Sequence, residues 1–318
     1  MTAVLGDQRN DTVDTPAAAA PARRRRRPSL ALPTPRPAGP RDEPRLMTSS
    51  TLAMVSLLCL WLVFQLVLLG GLSQGRQQAL LYREFRTQLA SATAPVGPVT
   101  PVGDPVAVLT IPAIGLEQTV VEGTSSGDTL AGPGHLRNTV LPGQVGTSVV
   151  MGRAQTYGGP FGNLAALRTG DTFTTTTAQG KTEYTVLDVR RTGDRFPQPL
   201  ASGGARLVLV TAESSGVFGG LSSGSVIYVD ADATSTAYPA PAGLPSVVPD
   251  AEKPLAGDNG SLPLLVLYLT LLLATCLAIV AARQRYRPVL VWVIATPVAL
   301  AMTWATTDVL MRLLPNLL

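Results

Sequence analysis

Residues able to do nucleophilic chemistry gather in one short stretch, LVLVTAESSG at residues 207–216. Four apolar residues lead into a set of small or polar ones: Thr211, Ala212, Glu213, Ser214 and Ser215. This pattern is typical of a buried strand that ends in an exposed loop, where a rigid scaffold can present a reactive side chain. A hydroxyl attacks a carbonyl only beside a general base, and Glu213, with a usual pKa of about 4.3, is a weak base when exposed. The residue at the strand end, Ala212, carries no reactive group.

Other reactive residue types are scarce. The two cysteines, Cys59 and Cys276, lie inside apolar runs, which excludes a disulfide framework, a thiolate metal site and a soluble thiol nucleophile. The only histidine, His135, is interpreted as a loop residue with ordinary hydrogen bonds. Asp230 and Asp232 lack the further oxygen ligands that calcium requires and are expected to cap a strand. We therefore expect no metal and no cofactor, and the glycine spacing does not support nucleotide binding.

The elements that must position these residues are short strands. Segments rich in β-branched and apolar residues occur at 106–114, 116–123, 146–154, 205–212 and 225–231, and 172–191 reads as a hairpin turning at Gln179 and Gly180. A short helix is predicted over 160–171. Many short strands with little helix predict a mainly β domain, a barrel or a sandwich, over residues 106–232.

The rest of the chain predicts membrane attachment. Uncharged apolar runs occupy residues 51–72, 261–282 and 289–311, and 22 residues of helix span about 33 Å, enough for a bilayer core. The basic loop at 283–288 is expected in the cytosol, as is the disordered Arg- and Pro-rich tail at 1–50, whose Arg23–Arg27 run suits anionic lipid better than nucleic acid.

The remaining segments connect these parts. Residues 73–105 are predicted to form a membrane-proximal helix followed by a Pro/Gly spacer, and residues 233–260 a Pro/Ala linker. Asp308 and Arg312, four residues apart, are expected to pair near the outer surface. The whole predicts a multi-pass protein of the cell membrane with three transmembrane helices, a cytosolic N-terminus and an extracytoplasmic β domain.

Six ordered segments of residues 106–231 resemble one known family: LTIPAIGLEQTVVEG, LAGPGHLRNTVLPGQVGTSVVMGRA, FGNLAALRTGD, YTVLDV, RLVLVTAES and SVIYVDA. They are similar to the sortases, membrane-anchored transpeptidases of the Gram-positive cell surface. The resemblance implies an eight-stranded β-barrel with short helices. It also implies thiol acyl transfer, in which a cysteine attacks a Thr–Gly bond of a sorting signal, assisted by a histidine and an arginine.

Each family role falls on a changed residue. The resemblance puts the cysteine position at Ala212, the histidine position at Arg153 and the arginine position at Ser225. The chain thus resembles a sortase whose three catalytic residues are lost, and His135 does not match the catalytic histidine.

Three functions stay open. The first is an inactive recognition protein that binds a surface-protein peptide or sorting signal through Arg153, Thr211 and Ala212. Its partner could equally be an active sortase or a secretion component. The second is a divergent transpeptidase or peptidase assisted by Ser214, Ser215 or Glu213. The third is a structural membrane protein without a peptide groove.

Overall fold

The computed structural model describes residues 56, 60–61, 63–213, 225–286 and 288–318. Eight strands close into a barrel in the order β1-β2-β3-β4-β7-β8-β6-β5, and β5 returns to β1. The strands are β1 Pro105–Ile111, β2 Leu116–Glu122, β3 Gly134–His135, β4 Gly146–Met151, β5 Thr172–Thr177, β6 Gly180–Arg191, β7 Ala205–Ala212 and β8 Val226–Ala233. The predicted mainly β barrel and the hairpin over 172–191 are confirmed.

The continuous apolar run of β7 is explained by burial on both faces of the strand. Leu207 and Leu209 point into the barrel, where they join the main core with Phe161, Phe173 and the other interior side chains. Val208, Val210 and Ala212 alternate with them and belong to a second apolar cluster outside the barrel. On one side β7 pairs in parallel with β4 and on the other antiparallel with β8, so it lies between them.

Two local predictions differ from the structure. The helix expected over 160–171 is a single 3₁₀ turn at Leu164–Ala166. His135, expected in a loop, lies in β3, which pairs with β2 and β4. A two-residue strand leaves no periodic pattern to detect. It fits here because Gly134 has no side chain, and a Cβ there would stand 2.1 Å from the carbonyl oxygen of Gly123.

The predicted membrane-proximal helix is present and docks on the barrel. It begins as a π-helical turn at Gln65–Leu69 and continues as α1, Gly70–Ala90. Gln78 fixes it to β2: its Nε2 donates to the Thr119 carbonyl at 3.1 Å, and its Oε1 accepts from the Thr119 amide at 2.7 Å. The helix is therefore part of the folded unit that holds the barrel.

Two helices, α2 Leu262–Arg285 and α3 Pro288–Arg312, are long and apolar enough to cross a membrane by length and composition. The predicted span at 51–72 falls partly outside the described residues, as does the whole tail at 1–50, so two spans rather than three are seen. Trp61 nevertheless donates to the Thr307 hydroxyl of α3 at 3.2 Å. The basic loop is shorter than expected, because α2 continues to Arg285.

Candidate functional site

Three adjacent strands bring the predicted site residues to one end of the barrel. Met151 at the end of β4 pairs with Val210 of β7, and Ala212 at the end of β7 pairs with Val226 of β8. Arg153 follows β4 by two residues and Ser225 immediately precedes β8, so both flank Ala212. The Thr211 hydroxyl donates to the Gly152 carbonyl at 3.0 Å, which ties the two strand ends together.

Ala212 is covered rather than open to solvent, with 1% of its surface exposed. It belongs to the apolar cluster with Met151, Ala154 and Val226, and the covering side chains are Leu317 and Leu318. Full burial of one leucine stabilises a fold by about 1.5–3 kcal/mol, so this covering is a substantial contact. The residues after α3 thus pack directly on the strand end that could have carried a nucleophile.

Arg153 is completely buried beside Ala212. Its Nη1 donates to the Thr156 hydroxyl at 2.9 Å, and its guanidinium carbon lies 5.7 Å from the centre of the Tyr157 ring. Its Nε has no hydrogen-bond partner, and no carboxylate side chain among the described residues pairs with it. Burial lowers the pKa of Arg153 to about 10, because a low-dielectric surrounding disfavours the charged form.

Two hydroxyl groups connect Arg153 to the segment that covers Ala212. Arg153 Nη2 donates to Ser126 Oγ at 2.8 Å, and Ser126 Oγ donates to the Leu314 carbonyl at 2.6 Å. The Thr156 hydroxyl, which accepts from Arg153, donates to the Leu318 carbonyl. Each hydroxyl serves as acceptor on one side and donor on the other, so the guanidinium orients both.

The same segment is held by main-chain and amide contacts. The Ala154 amide donates to the Leu317 carbonyl at 2.9 Å, and the Thr156 amide donates to that of Leu318 at 3.3 Å. Asn316, fully buried, donates through Nδ2 to the Thr124 carbonyl at 2.7 Å and to the Lys253 carbonyl at 3.0 Å. Residues 314–318 are therefore bonded at several points, Leu317 and Leu318 to residues 154 and 156, and Leu314 and Asn316 to residues 124, 126 and 253. We call residues 313–318 the strap.

Of the residues proposed for a rewired reaction, the structure describes Glu213, which is bound to an arginine. Arg191 Nε donates to Glu213 Oε1 at 2.6 Å, and this bond lowers the pKa of Glu213 below its usual value, which makes the carboxylate a weaker base. The Glu213 amide donates to the Ser225 carbonyl at 2.9 Å. Ser214 and Ser215 lie outside the described residues.

His135 has structural partners on both ring nitrogens. Nδ1 lies 2.9 Å from Glu122 Oε2, and Nε2 lies 2.9 Å from the carbonyl oxygen of Val140. The ring is 1% exposed, between β2 and β4. Both ring nitrogens of His135 therefore serve hydrogen bonds within the folded barrel.

An apolar cavity of about 450 Å³ lies on the outer face of β4, β7 and β8, next to the covered strand end. Its lining includes Met151, Val208, Val210, Phe196, Pro197 and Tyr228. Arg190 also lines it. Its guanidinium carbon lies 4.3 Å from the ring centre of Tyr228 and 5.0 Å from that of Phe196, and Nε donates to Asp230 at 2.5 Å. Because that charge is paired, the cavity suits an apolar segment.

The sequence predicted that Asp230 and Asp232 cap the end of a strand, and this prediction is wrong. Both lie within β8, and they pair with arginines on the neighbouring strands, Asp230 with Arg190 and Asp232 with Arg206 at 2.6 Å. The sequence could not show this, because strand register decides which charges meet. Within the part of the chain that the structure describes, no group of three or more metal-ligating side chains comes together.

Comparison with known proteins gives one decisive match. The sortase domain family matches residues 109–291, more than half of the chain. The chain belongs to the sortase family. A comparison with curated proteins found no significant match.

Among solved structures, similar ones are sortases. A type D sortase transpeptidase from Clostridium perfringens is 18% identical, with 51% of this chain and 99% of that one covered and a TM-score of 0.40. A sortase C from Actinomyces oris is 23% identical, covering 49% and 99% with a TM-score of 0.35. The SrtF sortase from Corynebacterium diphtheriae is 22% identical, covering 48% and 94% with a TM-score of 0.37.

The sequence did not reveal the residues that contact the site around Ala212 but lie far from it along the chain. Thr156, Ser126 and the strap carry no motif, and the strap lies more than 100 residues from the strand end that it covers. Phe196 and Tyr228 gave only a weak signal, as isolated aromatic residues in a domain with few of them.

Proposed function

We propose that this sortase-family chain recognises an extended peptide at the cell surface without cleaving it. The observation that carries the proposal is Ala212. It stands at the end of β7, where the resemblance places the family's cysteine, and residues 73–261 contain no cysteine at all. Neither Arg153 nor Ser225 supplies the proton transfer or the fixed positive charge that thiol acyl transfer needs at those two positions.

Recognition is supported by the apolar cavity beside the degenerate site. Met151 and Val210, the last pair of the β4–β7 ladder, line that cavity and lead to Arg153, Thr211 and Ala212, which are the proposed peptide-binding residues. An extended surface-protein segment or sorting signal of largely apolar character fits this lining. An active sortase or a secretion component is a second partner for the same protein, reached through the membrane helices.

The proposed setting is the outer face of the cell membrane. The two apolar helices after the barrel are consistent with membrane anchoring, and α1 leads towards the predicted first span. With the tail and the short loop after α2 in the cytosol, the barrel lies outside, where surface proteins pass.

A rewired enzyme is less well supported, because Arg191 lowers the pKa of Glu213 and so weakens the only described base beside the strand end. A purely structural role is favoured by one observation, the burial of Ala212 under Leu317 and Leu318. Titration of the full chain with a sorting-signal peptide, followed by calorimetry and mass spectrometry, separates the three. Recognition gives heat and no product, a rewired enzyme gives product, and a structural protein gives neither.

A further inference from the structure

The strap occupies the degenerate site with its main chain and with two apolar side chains. The Leu317 and Leu318 carbonyls accept from the Ala154 and Thr156 amides, and the Leu318 amide donates to the Pro315 carbonyl at 3.2 Å, which closes a turn. Leu317 and Leu318 fill the apolar cluster with Met151, Ala212 and Val226. Main-chain carbonyls bonded to amides, with leucine side chains placed in an apolar cluster, are contacts that a short external peptide can also make.

We propose that the strap is a built-in competitor that closes the degenerate site and must leave before an external peptide reaches Ala212 and Arg153. This inference rests on the proposed function, and it names both the control of the site and the peptide chemistry that the site accepts. The matching ligand is a short segment with two adjacent leucine-sized side chains and free main-chain carbonyls. Such a ligand reproduces what the strap supplies.

Arg153 holds the strap in place through two hydroxyl groups. Its guanidinium donates to Thr156 Oγ1 and to Ser126 Oγ, and these two hydroxyls donate to the Leu318 and Leu314 carbonyls. Burying a cation without a carboxylate side chain as partner is costly, and the four hydrogen bonds that run through Ser126 and Thr156 offset part of that cost. Arg153 is thus a positioning residue that acts through two hydroxyls.

The strap also joins the site to the membrane helices. The carbonyl of Arg312, the last residue of α3, accepts from the Asp258 amide at 3.1 Å. The Asn316 side chain donates through Nδ2 to the carbonyls of Thr124 and Lys253. Thr124 in turn donates to the Glu252 carbonyl at 2.8 Å. A displacement of α3 that breaks these bonds would therefore open the site, which gives a membrane partner a way to control it.

A thiol reporter tests the closure directly. In the full chain in lipid nanodiscs, with Cys59 and Cys276 changed to Ala, Ala212→Cys is exposed to a membrane-impermeant maleimide. The strap predicts slow labelling, and it predicts labelling about tenfold faster when Asn316→Ala is added, as expected for the loss of two hydrogen bonds. Leu317→Ser and Arg153→Met should have the same effect. Asn138→Ala, the same substitution at an exposed site, should not.

A second reporter separates local release from unfolding. Ala231→Cys, buried inside the barrel, should stay protected in all of these variants if the strap alone has moved. Rapid labelling of Ala212→Cys with the strap unaltered, or equal rates with and without Asn316→Ala, would overturn the inference. So would simultaneous exposure of Ala231→Cys in all three release variants.

A peptide with the sequence of residues 311–318, MRLLPNLL, tests ligand chemistry. It should slow labelling in the Asn316→Ala reporter at concentrations at least about tenfold lower than in the parent. Failure to compete would refute the proposed ligand class. If the strap protects Ala212→Cys but no sorting-signal peptide ever binds, the proposed function fails while the strap stands. If a sorting-signal peptide binds and Ala212→Cys is freely labelled, the strap inference fails while the proposed function stands.

Discussion

Arg153 Nη2 donates to both oxygens of Ser126, to the carbonyl at 2.9 Å and to the hydroxyl at 2.8 Å. With the strap in place, the guanidinium at the position where the resemblance puts the family's histidine is therefore engaged inside the protein. Ser126 passes the interaction on to the Leu314 carbonyl. This relationship explains how a position associated with proton transfer can instead hold a segment of the same chain in place.

The first prediction concerns the cost of removing Arg153. Arg153→Ala should lower the free energy of unfolding by about 2–5 kcal/mol, because it leaves a cavity and removes donors from Ser126 and Thr156. Arg153→Met should cost less, since it fills the space and removes a buried unpaired charge. Thermal unfolding of the full chain in detergent measures both.

The matched control is Arg195→Ala, at an exposed arginine, which should stay within about 0.5 kcal/mol of the parent. Equal stability of Arg153→Ala and Arg195→Ala would show that Arg153 contributes nothing to the fold.

The second prediction concerns the short strand β3. Gly134→Ala should destabilise the barrel by about 1–3 kcal/mol, because the added Cβ would lie 2.1 Å from the Gly123 carbonyl oxygen and would separate β2 from β3. Gly75→Ala, where no atom lies within 4 Å in α1, should be neutral or stabilising by about 0.5–1 kcal/mol. Unfolding midpoints that fall together in both variants would argue against the pairing.

The third prediction concerns peptide affinity. Phe196 lines the apolar cavity and is 84% exposed, so Phe196→Ala should leave the barrel stable. It should weaken binding of a sorting-signal peptide by about 1–2 kcal/mol, roughly 5- to 30-fold, the usual cost of truncating an aromatic contact. Calorimetry compares it with Val99→Ala, an apolar site that is 94% exposed and does not line the cavity. Identical affinities would remove the cavity from the binding site.

The fourth prediction is topology. Protease added to intact protoplasts should cleave exposed barrel segments such as residues 192–202 and spare the arginine-rich end of α2 and the tail at 1–50. The orientation follows from the short basic connection between α2 and α3 and the predicted span before α1. Cleavage of the tail with the barrel protected would reverse the proposed orientation.

Much of the barrel could be predicted because its elements have local patterns. β7 is a continuous apolar run since both of its faces are buried, and the β5–β6 hairpin follows from alternating residues around Gly180. β3 escaped prediction because two residues have no period. The partners of Asp230 and Asp232 escaped because they depend on the register of β8 against its neighbours.

The site was predictable only as far as the resemblance reached. It placed Arg153, Ala212 and Ser225 on neighbouring strand ends, where the structure also has them. It gave no hint of the strap, because the contact between Leu317 and the Ala212 cluster joins distant parts of the chain and leaves no trace in local sequence. Tertiary contacts of this kind need the folded coordinates.

The central claim is recognition without turnover, and product formation tests it most directly. The full chain and its Ala212→Cys variant should be incubated with a sorting-signal peptide and an amine acceptor. Mass spectrometry then measures cleavage of the Thr–Gly bond of the peptide. We expect no cleavage by either protein, because the thiol of Ala212→Cys still lacks the histidine and the arginine that the reaction needs. Thiol-alkylating reagents should not change peptide binding by the parent, because residues 73–261 contain no cysteine. Steady cleavage by the parent that disappears in Ser214→Ala, Ser215→Ala or Glu213→Gln would contradict the account and establish a rewired enzyme.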